Sequence, residues 1–298
     1  LPIFYRYDSL DSFLDVFWLV QSLIGDREDW ARVAYESIID AVPHGLRHRE
    51  MFFTPARHLA GGQSLADVVA GLTDGVEAAE RETGARCDLV CDIDRAFGPE
   101  AGVELATQLA ELRRAGHAGR VIGMGMDSTE GGVDLRAFGP AYEIAGDAGL
   151  RLTAHAGEDG PAANIAAALD LGAQRIDHGI AIVDDLDLVR RAAEAGIPLN
   201  VCPTSNVVIA NRYASLAEHP LRGMREAGLL VTINTDDPAM IDLDLGGEYR
   251  AVADALGYSF DEMCALAVES IEATWLDESD RRALRASFDR EITAIPAA

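Results

Sequence analysis

The chain has 298 residues, 49% of them hydrophobic, and carries 50 acidic against 25 basic side chains for a formal charge of -25. That balance opposes non-specific attraction to nucleic acid or to an anionic membrane, and favours a folded protein that acts on a small molecule. Every basic residue is arginine, which excludes a Schiff-base lysine and a lysine-dependent phosphate loop.

Residues 11–41 read as helical, with Phe13, Leu14, Phe17, Trp18 and Val20 on one face and the pattern resuming over 31–39 after an acidic interruption. Residues 46–53 read as a strand stopped by Thr54-Pro55. An amphipathic helix over 65–83 ends at Gly84, and 87–93 is the next strand. Helices are then predicted over 100–115, 137–148, 162–171, 185–195 and 220–227, and from Glu248 onward. The intervening strands are 121–126, 150–155, 175–178, 198–202 and 229–234. Strands separated by single helices imply parallel βα units, and this many in succession point to a (β/α)8 TIM barrel, read here as one domain over 1–298.

No run reaches the ~18 apolar residues that span a bilayer, and no basic segment leads into an apolar one, so neither an anchor nor a signal peptide is expected. Cys87 and Cys91 sit four apart in a strand, roughly 13 Å at about 3.3 Å per residue, too far to bridge. With Cys202 and Cys264 they read as reduced cysteines of a cytoplasmic protein.

Active residues of such a barrel lie at the C-terminal ends of strands, and polar residues fall there: Thr54; Asp127, Ser128 and Glu130; His155 and Glu158; His178; Ser205 and Asn206; Asp236 and Asp237. In LRLTAHAGE, Gly157 lets the backbone turn so that His155 and Glu158 face one site. An isolated H-x-x-E, or the lone His178 of RIDHG, reads equally as ordinary surface or core, and the Asp236-Asp237 pair as an acidic turn. Together they are parts for metal-assisted hydrolysis: imidazole and carboxylate ligands, a carboxyl that carries a proton, and a second imidazole beside the activated water.

HAGE, the DHG of RIDHG, CPTSN (202–206), HP (219–220) and NTDDP resemble, in order and spacing, the adenosine deaminase family of zinc-dependent purine deaminases. The resemblance implies one zinc per chain with His155 and Asp236 as ligands. Glu158 would protonate purine N1, His178 and Asp236 would flank the water attacking C6, and Asp237 would bind N7. Asp127 and Ser128, in DSTE, would meet the N3 side. DSTE looks like the DSSE of the adenine branch, as do HAGEDGP and RIDHG, whereas NTDDPAM and LGGEY resemble the nucleoside branch. The partner implied is a small purine, with a homo-oligomer left open.

The family begins with a strand bearing His-x-His after Leu-Pro, whereas Leu1-Pro2 here is followed by Ile3-Phe4-Tyr5-Arg6. The first barrel strand is therefore expected to be missing. His44 and His48 are poor substitutes, since one follows a proline and the other lies mid-strand. Either the sequence is trimmed, or it is a metal-free purine-binding homologue. Exposed edges in an open barrel argue for trimming.

Overall fold

Parallel pairing runs through the strand set, as the single-helix spacing requires. The computed structural model describes residues 5–295, so the reading of Leu1 to Phe4 lies outside the described residues. Strands β1 (His48–Phe53), β2 (Arg86–Asp94), β3 (Val121–Asp127) and β4 (Arg151–Leu152) pair in that order. Strands β5 (His155–Ala156), β6 (Ile176–His178), β7 (Pro198–Val201) and β8 (Leu230–Ile233) form a second parallel run.

The strand expected over 150–155 is thus divided, because the chain leaves the β3 ladder and joins that of β6. Thr153 N–H donates to the Met124 carbonyl at 3.0 Å, and Asp177 N–H to the Ala154 carbonyl at 2.9 Å, so the chain stays in the wall across the break. With β4 and β5 taken as one, the described residues supply seven strands of a TIM-barrel wall. Among the described residues, β1 and β8 have no strand on their outer sides.

The helices are α1 (Leu10–Gln21), α2 (Arg27–Ala41), α3 (Ala56–Ala60), α4 (Leu65–Thr83), α5 (Gly98–Arg114), α6 (Gly139–Asp147), α7 (Ala162–Asp170), α8 (Leu186–Ala195), α9 (Pro203–Val208), α10 (Leu221–Glu226), α11 (Leu245–Leu256), α12 (Phe260–Glu269) and α13 (Glu278–Ala294). Helices α3 and α9 escaped the sequence reading because five or six residues show no period. Helix α4 starts at Ser64, whose side chain accepts from Asp67 N–H, and ends at Gly84 with φ 74°. It packs on α2 backbone to backbone, since a Cβ on Gly75 would lie 2.0 Å from the Ala31 carbonyl oxygen. Among the described residues no helix is long and apolar enough to cross a membrane.

One apolar core joins the strands to the helix faces, and a smaller cluster of Tyr7, Leu10, Phe13, Ile209 and Met240 seats α1 against the loops beyond α9 and β8. Tyr7 Oη fixes this seat by donating to the Met240 carbonyl at 2.9 Å. Within the wall, the Arg175 guanidinium bonds Glu50 and lies 3.8 Å from the centre of the Trp275 ring. His48 Nε2 lies 3.4 Å from Glu50, and His44 pairs with Asp244 at 3.2 Å. Both histidines therefore have carboxylate neighbours of their own.

Candidate active site

His155 opens β5, and the backbone turns at Gly157 with φ 71°. A side chain there would strike Ile165 at 2.6 Å, so glycine is required twice over. The loop that follows is wrapped on one carboxylate. Glu130 accepts from the N–H groups of Gly157, Glu158 and Gly160 at 3.0, 2.9 and 3.1 Å, and from Asn164 Nδ2 at 2.7 Å. Sequence reading placed Glu130 at a strand end without this role.

The loop delivers Glu158 to His178. His178 Nε2 lies 3.6 Å from Glu158 Oε2 and 4.0 Å from Asp236 Oδ2. Ser205 Oγ donates to Asp236 Oδ2 at 2.5 Å, and the His155 and His178 rings are 5.2 Å apart between centroids. Burial, reinforced by Asp236, Asp159 and Glu130 against the pull of His178, pushes Glu158 up to about 7. Burial and the adjacent Asp236 push Asp237 well above the ordinary carboxylate range. For His178, burial favours the neutral ring, while Glu158, Asp236 and Asp177 outweigh it and raise the value. Three of the five non-glycine residues described with positive φ are Ser128, His178 and Asp236. Strain of this kind concentrates where surrounding structure holds functional groups in place.

His155 has the chemistry of a metal ligand, because burial lowers it to about 3 and leaves a neutral imidazole. Asp236 adds a carboxylate that is 19% exposed. His178, Cys202 and Asp236 also place donor atoms within 4.8 Å of one another. That set is poorer, since burial holds Cys202 well above its usual value as a thiol and His178 Nδ1 is bonded to Asn206. A neutral imidazole such as His155 and a carboxylate such as Asp236 are each of a type that zinc takes as a ligand.

Asp127 is bonded by Thr54 Oγ1, and burial with Asp94 pushes it to about 7 despite that bond. Ser128 Oγ donates to Asp94 Oδ1 at 2.8 Å, and Arg57 Nε stands 3.6 Å from Asp94 Oδ2. Arg95, buried, ties the strand ends together by donating to the carbonyls of Asp127, Met126 and His155 at 2.6, 3.1 and 2.5 Å. Asp92 Oδ2 lies 3.4 Å from His155 Nδ1 with no hydrogen-bond partner of its own, and a Cβ on Gly125 would lie 2.3 Å from Asp92 Oδ1. Sequence reading missed Asp92, Asp94 and Arg95. The signal was DIDR, which puts alternate carboxylates and an arginine at the C-terminal end of β2.

A family model described as adenosine deaminase matches residues 3–291. The adenine deaminase of Streptomyces coelicolor is 37% identical over 298 residues, which cover 99% of this chain and 85% of that protein. The adenine deaminase of Aspergillus fumigatus is 37% identical over 290 residues, 96% of this chain and 80% of the relative. Among solved structures, an adenine deaminase from Arthrobacter aurescens superposes with a TM-score of 0.93 at 32% identity, over 98% of this chain and 88% of that one. A Burkholderia ambifaria amidohydrolase with bound zinc superposes with a TM-score of 0.83 at 32% identity, over 90% and 74%. A match of this length, on a barrel whose strand ends carry the family's motifs, places the chain in the adenosine deaminase family of hydrolases.

Proposed function

We propose that the chain hydrolyses the amino group from a 6-aminopurine, with adenine as the preferred substrate and one zinc ion per chain. Glu158 carries the proposal: a carboxyl only 5% exposed, pushed to about 7 and facing His178. An ordinary glutamate has lost its proton at neutral pH, whereas this one retains a large share of it. It delivers that proton to N1 and makes C6 electrophilic. Water adds to C6 and gives up a proton, that proton passes to the amino nitrogen as its bond to C6 breaks, and the C6 hydroxyl proton returns to Glu158 as ammonia leaves the 6-oxopurine.

Asp236, oriented by Ser205, accepts the proton of the attacking water, and His178 stands on the same side. Asp237, whose carboxyl burial and Asp236 push upward, shares a hydrogen bond with N7. Asp127 and Ser128, tied to Thr54 and Asp94, line the N3 side. His155 and Asp236 would hold the zinc, two of the three protein ligands usual at a catalytic centre. When bound, such an ion supplies the acidity that makes water nucleophilic at neutral pH.

The relatives named adenine deaminases support the choice of base over nucleoside, as does DSTE. Turnover of adenine and adenosine, followed by ammonia release, tests the reading. Faster release from adenine supports it, faster release from adenosine transfers it to the nucleoside, and purine binding without turnover of either points to a metal-free binding protein.

A further inference from the structure

His219 and Asn206, from the HP and CPTSN motifs, form no hydrogen bond with Glu158 or Asp236, yet they are bonded in series behind His178. The series begins at a main-chain N–H, which can only donate. Pro220 has no N–H, so the first N–H of α10 is that of Leu221, which has no carbonyl partner inside its own helix. It donates to His219 Nδ1 at 3.2 Å. A ring nitrogen that accepts carries no hydrogen, so neutral His219 bears its hydrogen on Nε2. Burial keeps His219 neutral by lowering it to about 4.

His219 Nε2 lies 3.1 Å from Asn206 Oδ1, which must accept, and this orients the amide so that Nδ2 donates to His178 Nδ1 at 2.9 Å. His178, Asn206 and His219 are 2%, 0% and 4% exposed, which keeps water from reversing any link. We infer that His219 is a positioning residue that, through Asn206, fixes the hydrogen of the neutral His178 ring on Nε2, so the ring presents a donor to the site. For its catalytic consequence this rests on the proposed deamination. His178 then hydrogen-bonds the oxygen that adds to C6, and the proton of the attacking water goes to Asp236.

Ring-nitrogen correlation spectra of 15N-histidine-labelled protein, with kcat and KM on adenine, test the relay. At alkaline pH, where the His178 ring is neutral, the wild type is expected to show its hydrogen on Nε2. His219→Gln, whose amide can accept from Leu221 and donate to Asn206, should keep that tautomer and hold kcat within about threefold. His219→Ala should give a mixed or switched tautomer. Its kcat should fall about tenfold or more with KM little changed, bounded by the ~10⁴-fold loss that accompanies a catalytic imidazole locked in the wrong tautomer. A hydrogen on Nδ1 in the wild type, or His219→Ala with unchanged spectrum and kcat, overturns the inference. A wild type that turns over neither adenine nor adenosine overturns the proposed reaction, while the ring spectrum still decides the relay.

Discussion

Replacing Glu130 by glutamine keeps the shape of the side chain and removes its charge, at the residue on which the loop bearing Glu158 is wrapped. The carboxylate accepts four hydrogen bonds, three of them from main-chain N–H groups. An amide has one oxygen, so about two of these bonds survive and its NH2 group confronts the other donors. Each buried donor left without an acceptor costs about 1–3 kcal/mol. Weakening the remaining bonds adds about 1 kcal/mol, and non-additivity within one network brings the expected loss to about 3–5 kcal/mol.

That is a large share of a total stability of about 5–15 kcal/mol, but it leaves a folded protein to assay. Urea denaturation gives the stability, and kcat on adenine below the transition gives the effect on Glu158, which should be a clear decrease. Burial pushes the Glu130 carboxyl up, but Arg95 and the loop donors more than reverse this. A carboxyl whose folded value is depressed stabilises above its unfolded pKa and loses that contribution as pH falls. The gap between wild type and Glu130→Gln should therefore narrow on acidification. A loss below about 1 kcal/mol together with unchanged kcat would refute the role given to this carboxylate.

Glu158→Gln should lower kcat by about 10²–10⁴-fold with purine binding retained, measured by steady-state kinetics and equilibrium binding. In the wild type, kcat/KM should fall as pH rises through about 7, as the proton donor ionises. Glu50 is raised by burial but held near 2 by Arg175, His48 and Trp275, from an ordinary value of 4.5. It stabilises above that ordinary value, and a contribution of about 3 kcal/mol is lost as pH falls towards 2. Thermal midpoints of wild type and Glu50→Gln should converge over that range, and a constant gap would contradict the assignment. Gly75→Ala places a methyl 2.0 Å from the Ala31 carbonyl and 2.9 Å from the Ala34 Cβ. It should cost about 1–3 kcal/mol in urea denaturation, and a neutral result would contradict the close packing of α2 on α4.

The barrel was legible because helix and strand periods alternate from residue 46 onward, and the end of Leu65–Thr83 was marked in the sequence by Gly84. The division of the strand over 150–155 was not, since it depends on which neighbour each backbone group meets. His155, Glu158, His178 and Asp236 stood out as polar residues ending apolar strands. Glu130 was placed at a strand end, but its role was hidden, because three of its partners are main-chain groups 27 to 30 residues away that carry no side-chain signature. Positive φ at Ser128, His178 and Asp236 was equally hidden, as none is a glycine. The HP motif entered by resemblance alone, and its connection to His178 emerges only when Asn206 is placed between them.

The most direct test of the proposed reaction is to follow adenine absorbance and ammonia release together in the protein as purified, with its zinc counted by elemental analysis. The account predicts stoichiometric ammonia for adenine consumed, faster than for adenosine, at about one zinc per chain. Zinc-loaded protein that releases no ammonia from either purine would contradict it.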